Sequence, residues 1–104
     1  MTIKILESAI QDLDRGRRFY SRHGWGVGDY FLDSLFSDID SLLLYAGIHP
    51  KTFGFHRLLS RRFPFAVYYL IEDDVVIVYR VLDLRQNPAS IGDYLTLDDQ
   101  PKQE

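Results

Sequence analysis

Along the chain, apolar and polar residues first alternate, then recur every three or four positions, then alternate again through the second half. In Thr2 to Leu6, Ile3 and Ile5 are interleaved with Thr2 and Lys4, the period of a half-buried strand. From Ser8 the period lengthens. Ala9, Ile10, Leu13, the stem of Arg17, and Tyr20 share one face, and Asp12, Asp14, Arg15 and Arg18 fill the other. This predicts an amphipathic helix to about His23, opened by a capping box of Ser8 and Gln11 and ended near His23, whose ring suits a helix C-terminus.

Gly24-Trp25-Gly26-Val27-Gly28 carries too much glycine for regular structure and reads as a turn. A second helix is expected from roughly Asp29 to Tyr45. Its stripe is Phe31, Leu35, Ile39, Leu42, Leu43 and Ala46, with Asp33, Asp38 and Asp40 facing away. The short loop makes the two helices a hairpin. Gly47 to Pro50 closes it.

Aromatic and β-branched residues dominate Phe53 to Leu59, Phe65 to Ile71 and Val75 to about Leu84. Ser60 to Pro64 and Glu72-Asp73-Asp74 separate these runs, so an antiparallel meander is expected. Asn87 as cap and Pro88 at the first helical position predict a short helix over Ala89 to Leu95. The expected fold is α+β, in the order β-α-α-β-β-β(-α). The helical hairpin packs on one face of a mostly antiparallel four-stranded sheet. Residues 1–97 form a single domain, and 98–104 a polar, frayed tail.

Composition narrows the chemistry. The 104 residues suit one core, and seven Tyr with seven Phe supply its bulk. No Cys is present, which removes disulfides and thiolate metal sites and fits a reducing cytoplasm. The N-terminus lacks a long apolar run, so neither a signal peptide nor a membrane span is expected and the protein is placed in the cytosol. A net charge of −3 lacks the basic excess of a protein that lives on phosphate contacts. Arginines nevertheless collect between Arg57 and Arg85.

Arg61-Arg62-Phe63-Pro64-Phe65-Ala66-Val67-Tyr68-Tyr69 resembles the central signature of the ParE/RelE superfamily of toxins from type II toxin–antitoxin systems. Val76 to Pro88, with Arg80 and Arg85, is similar to that family's last strand and its ending. Ala9, Asp12-Leu13 and Tyr20 match the looser pattern of its first helix. The likeness spans residues 3 to 95. It implies a growth-inhibiting toxin that either poisons DNA gyrase without catalysing a reaction or cleaves ribosome-bound mRNA, or else a decayed toxin that only binds antitoxin. It also implies a cognate antitoxin that adds a strand to an open sheet edge or lays a helix by the hairpin. A homodimer or a toxin–antitoxin hetero-oligomer is compatible with it. Asp83 stands where many members carry His, and a second basic residue is missing from Arg85-Gln86-Asn87-Pro88. Both departures weigh against ribonuclease chemistry, since Asp83 is no cation at neutral pH.

The candidate target-binding residues are therefore Arg57, Arg61, Arg62, Arg80 and Arg85, whose planar forks take phosphate or carboxylate bidentately. Were the chain a ribonuclease, Arg62, Arg80, Asp83 and Arg85 would carry the chemistry. Asp83 is better suited to an ion pair than to a general base, because a neighbouring arginine lowers its basicity. The plainer alternative pairs Arg80 with Asp83 or Glu72 and leaves the other arginines solvated. Tyr68, Tyr69 and Tyr79 are expected in the core rather than stacked on bases. His23, His49 and His56 have no metal-ligand spacing, so no metal and no cofactor is expected. Trp25 either plugs the end of the hairpin or anchors a partner, and the plug is the expectation.

Overall fold

The computed structural model describes residues 1–95, so the tail expected at 98–104 lies outside the described residues. Strand β1 (Thr2–Ile5) runs almost directly into helix α1 (Glu7–Ser21). Helix α2 (Val27–Asp40) follows, then a single turn α3 (Leu42–Tyr45). Ser41 separates the last two, its Oγ donating to the Asp38 carbonyl at 2.6 Å, so the predicted second helix ends in two pieces. Strands β2 (Lys51–Thr52), β3 (Phe55–Leu59), β4 (Phe65–Glu72) and β5 (Val75–Asp83) complete the sheet, and α4 (Pro88–Tyr94) ends the described chain.

The strand order is β1-β5-β4-β3-β2, with β1 and β5 parallel and every other pair antiparallel. The sheet has five strands rather than the four expected. Phe53 and Gly54 form a two-residue turn with φ of 57° and 84°, and the chain before it folds back so that Lys51 pairs with His56 and Thr52 with Phe55. Two paired residues are too few to leave an alternation in the sequence. Asp73 and Asp74 make the β4–β5 turn in the same way, at φ 50° and 66°.

Alternation along β4 assigns the layers. Phe65, Val67 and Tyr69 face a core shared with Ala9 and Leu13 of α1 and Phe31, Leu35 and Ile39 of α2. Ala66 and Tyr68 face a second core with Phe55, Ile91 and Leu95. The helical hairpin thus covers one face and α4 the other. Strand β5 obeys the same rule until Tyr79, where it holds one residue more than its partner. Tyr69 pairs with Val78 but Tyr68 with Arg80, a β-bulge.

The hairpin helices approach closely because glycine lines their contact. A Cβ on Gly28 would lie 2.6 Å from the Arg17 carbonyl oxygen, and one on Gly16 would lie 2.5 Å from the Phe31 ring. The helical stripes differ from expectation in two respects. Ile10 and Leu43 are half-exposed, whereas Asp12 and Asp38 are buried. Asp38 accepts from Ser60 Oγ at 2.6 Å, which ties α2 to the loop after β3.

Candidate functional site: the cleft between the first helix and the last strand

Beyond Val78, strand β5 has no strand beside it on the β1 side, because β1 has ended and turned into α1. Buried backbone groups there need other partners. Ser8 and Asp12, one helical turn apart on α1, supply them. Ser8 Oγ donates to the Tyr79 carbonyl at 2.7 Å, and Asp12 accepts the Val81 N–H at 2.9 Å. Ser8 therefore does not cap α1 as expected. Leu6, in extended conformation, occupies the N-cap without a side-chain hydrogen bond.

Asp12 does more than continue the sheet. Its two oxygens accept Arg80 Nε and Nη2, each at 2.8 Å, and Arg15 Nη1 at 3.1 Å. The carboxylate is 2% exposed and Arg80 19%, so the pair is largely removed from water. The Arg80 guanidinium also lies 4.7 Å from the Tyr94 ring centroid, placing it between α1 and α4. The bulge at Tyr79 is what turns Arg80 toward this edge. The expected alternative of Arg80 pairing with Asp83 or Glu72 is replaced by Asp12, a residue expected on the solvent face.

A cleft of about 380 Å³ opens beside this pair. Gly16 and Phe19 of α1, Phe65 of β4, Leu82 and Asp83 of β5, and Tyr94 of α4 line it. Asp83 accepts Arg85 Nε at 3.0 Å, Arg85 Nη2 at 2.6 Å and the Arg85 N–H at 2.8 Å. Partial burial works against its ionised form, but the hydrogen bonds and charge of Arg85 outweigh it and hold Asp83 below the usual carboxylate range. Asp83 is thus an ion-pair partner, as expected. Its hydrogen bonds hold Arg85 above the usual guanidinium value, and the guanidinium leans over the rings of Phe19 and Tyr20 at 5.6 and 6.0 Å.

The structure divides the five candidate arginines instead of gathering them on one side of the sheet. Arg80 and Arg85 border the cleft. Arg57 lies two strands away from Arg80 on β3, paired in register with Tyr68, which itself pairs with Arg80. Arg61 and Arg62 sit exposed in the loop between β3 and β4. A single alternating strand could not have shown this, because Arg57 and Arg80 come from strands separated by β4 and Arg80 follows a bulge.

Tyr68, Tyr69 and Tyr79 are buried, as expected of core residues. Tyr69 receives the Gly47 N–H at 2.9 Å and donates its own proton to His49 Nδ1. His23 Nδ1 lies 3.0 Å from the Phe19 carbonyl at the end of α1, the helix-terminal role expected of it. No histidine lines the cleft. Among the described residues, no group of three or more His, Asp or Glu is placed to hold a metal ion, and no helix is long and apolar enough to cross a membrane. Trp25 overturns its expectation: at 101% relative exposure it plugs nothing.

The family model described as "ParE toxin of type II toxin-antitoxin system, parDE" matches residues 3–88. Among solved structures, a chain of the chromosomal ParDE toxin–antitoxin system from P. aeruginosa is similar at a TM-score of 0.74. It is 19% identical, and the alignment covers 82% of this chain and 97% of that one. No curated protein matches the chain.

Proposed function

The chain belongs to the ParE toxin family of type II toxin–antitoxin systems, and on that premise we propose that it arrests growth by poisoning DNA gyrase, without catalysing a reaction, until a cognate antitoxin covers it. One observation carries the choice against ribonuclease activity. The two carboxylates of the cleft are each gripped by an arginine fork, Asp12 by Arg80 and Asp83 by Arg85. A general base must be free to take a proton at neutral pH. Asp83 is moved the wrong way for that role, and no histidine stands in its place. What remains is a rigid charged surface suited to holding a partner.

The antitoxin has two features to use. Strand β2 leaves an edge beyond its two paired residues, and α3 exposes Leu43 and Leu44 beside it in the chain. Expression in bacteria separates the readings. Chromosome breaks with induction of the DNA-damage response are expected, relieved when the antitoxin is co-expressed. An immediate halt of translation with mRNA cleavage would replace this reading with a ribosome-dependent ribonuclease, and unhindered growth would leave only a chain that binds antitoxin.

A further inference from the structure

The arginines fall into two groups by what they touch. Arg15, Arg17, Arg18, Arg80 and Arg85 each meet a carboxylate within 3.1 Å, and Arg57 pairs in register with Tyr68 within the sheet. Among the described residues, Arg22, Arg61 and Arg62 make no ion pair, and all three are exposed. They lie at one end of the molecule. Arg22 caps the C-terminus of α1. Arg61 and Arg62 lead into Phe63, whose ring sits 4.9 Å from Tyr20 and 5.6 Å from Tyr30, on either side of the α1–α2 turn.

That turn carries Trp25, wholly exposed, with Tyr30 exposed to 52% one helical turn onward. A large aromatic ring left in water forgoes the stabilisation that burial would bring. Gly26, in the left-handed region at φ 79°, fixes the backbone beside it. Asp29 is the nearest acid in the sequence, outnumbered by the three guanidiniums. Trp, Tyr and Arg are the residues enriched at the energetic centres of protein interfaces.

We propose that the α1–α2 turn docks this chain onto its target protein, Trp25 entering an apolar pocket whose acidic rim meets Arg22, Arg61 and Arg62. The proposal rests on the reading of the chain as a non-enzymatic toxin that holds a protein. A protein occupant is favoured over nucleic acid because one isolated indole suits a pocket. Single-stranded nucleic acid is bound by several aromatics along a basic groove, and this chain carries a net charge of −3.

Trp25 is the chain's single tryptophan, so its fluorescence reports the turn alone. Purified gyrase holoenzyme stripped of fluorescence by tryptophan analogue incorporation is the probe. Binding is expected to shift the emission to the blue and shield it from acrylamide. Trp25→Ala is expected to weaken binding about thirtyfold, as at an interface hot spot. Arg61→Glu with Arg62→Glu should weaken it comparably, and Ile10→Ala, at an exposed position of α1 away from the turn, should leave it unchanged. Should gyrase bind with the indole still open to quencher and Trp25→Ala bind as tightly as the parent, the turn is not the docking surface, though the toxin reading stands. Should gyrase not bind at all, the gyrase reading fails and this proposal falls with it. Shielding of Trp25 by a single-stranded oligonucleotide or by antitoxin, without shielding by gyrase, overturns the proposal.

Discussion

Asp12 holds Arg80 through two parallel hydrogen bonds of 2.8 Å and at the same time takes the N–H of the residue after it. One carboxylate thus replaces a missing strand and neutralises a nearly buried cation. Removing it strands both groups. Asp12→Ala is expected to cost about 3–5 kcal/mol, the range for breaking a buried pair by deleting one partner. Urea denaturation would measure it. Arg80→Met in an Asp12→Leu background should cost less than the two single changes together, because neither charge is then left alone.

Gly28 is a second point of rigidity. Alanine is the better helix former by about 1 kcal/mol, so on propensity alone Gly28→Ala would stabilise α2. The Cβ would, however, meet the Arg17 carbonyl oxygen at 2.6 Å, and backbone cannot swing aside as a side-chain tip can. The contact wins. A net loss of about 1–3 kcal/mol is expected, read as a lower Tm with the sheet's circular dichroism unchanged.

Acid should loosen the segment between α3 and β2. Burial first, and the charge of His56 second, hold His49 below its ordinary value, and its Nδ1 accepts the Tyr69 proton only when the ring is neutral. His56 stacks on Tyr69 at 5.0 Å and its Nδ1 lies 2.6 Å from the His49 carbonyl, so it is the neighbouring imidazole facing this site. The unfolded chain protonates more readily, so stability present above roughly pH 6.5 is lost as pH falls through the lower, folded value. Tm is expected to drop between about pH 7.5 and pH 5.5, and His49→Gln should flatten the slope. Asp83 obeys the same sign in a more acid window. Its contribution is present above the unfolded carboxylate value and disappears as pH falls through its depressed one.

Much of this architecture was legible in the residue pattern, and the exceptions share a cause. The strand runs showed because β4 alternates without interruption from Phe65 to Tyr69. Asp12 was misread because a carboxylate in mid-helix is ordinarily solvated. Yet the buried positions of α1 are Ala9, Asp12, Leu13 and Gly16, a three–four spacing on which Asp12 falls. Asp38 falls on the corresponding stripe of α2. Spacing held the signal and residue type hid it. Tyr94 and the division of the arginines had no such signal, since the cleft forms only when α4 crosses the far face. The exposure of Trp25 was likewise unreadable, because glycines flank buried and exposed rings alike.

The cap on α4 offers a local test. Asn87 Oδ1 accepts the Ala89 N–H at 2.8 Å, as its position before Pro88 predicts. Asn87→Ala is expected to destabilise the helix by about 1 kcal/mol. Hydrogen exchange should quicken in 89–95 and, through the loss of Ile91 from the second core, at Phe55 more than at Leu35.

The surplus residue in β5 changes the strand's count without changing its sides. Before Tyr79, even-numbered positions look toward the helical hairpin; after it, odd-numbered ones do. A chain lacking Tyr79 would keep Val78 opposite Tyr69 and Arg80 opposite Tyr68, so Val81 would still face the hairpin and Leu82 the side of α4, while the local kink beside Arg80 would be lost. The extra residue therefore sets the aim of one side chain rather than the facing of the whole strand.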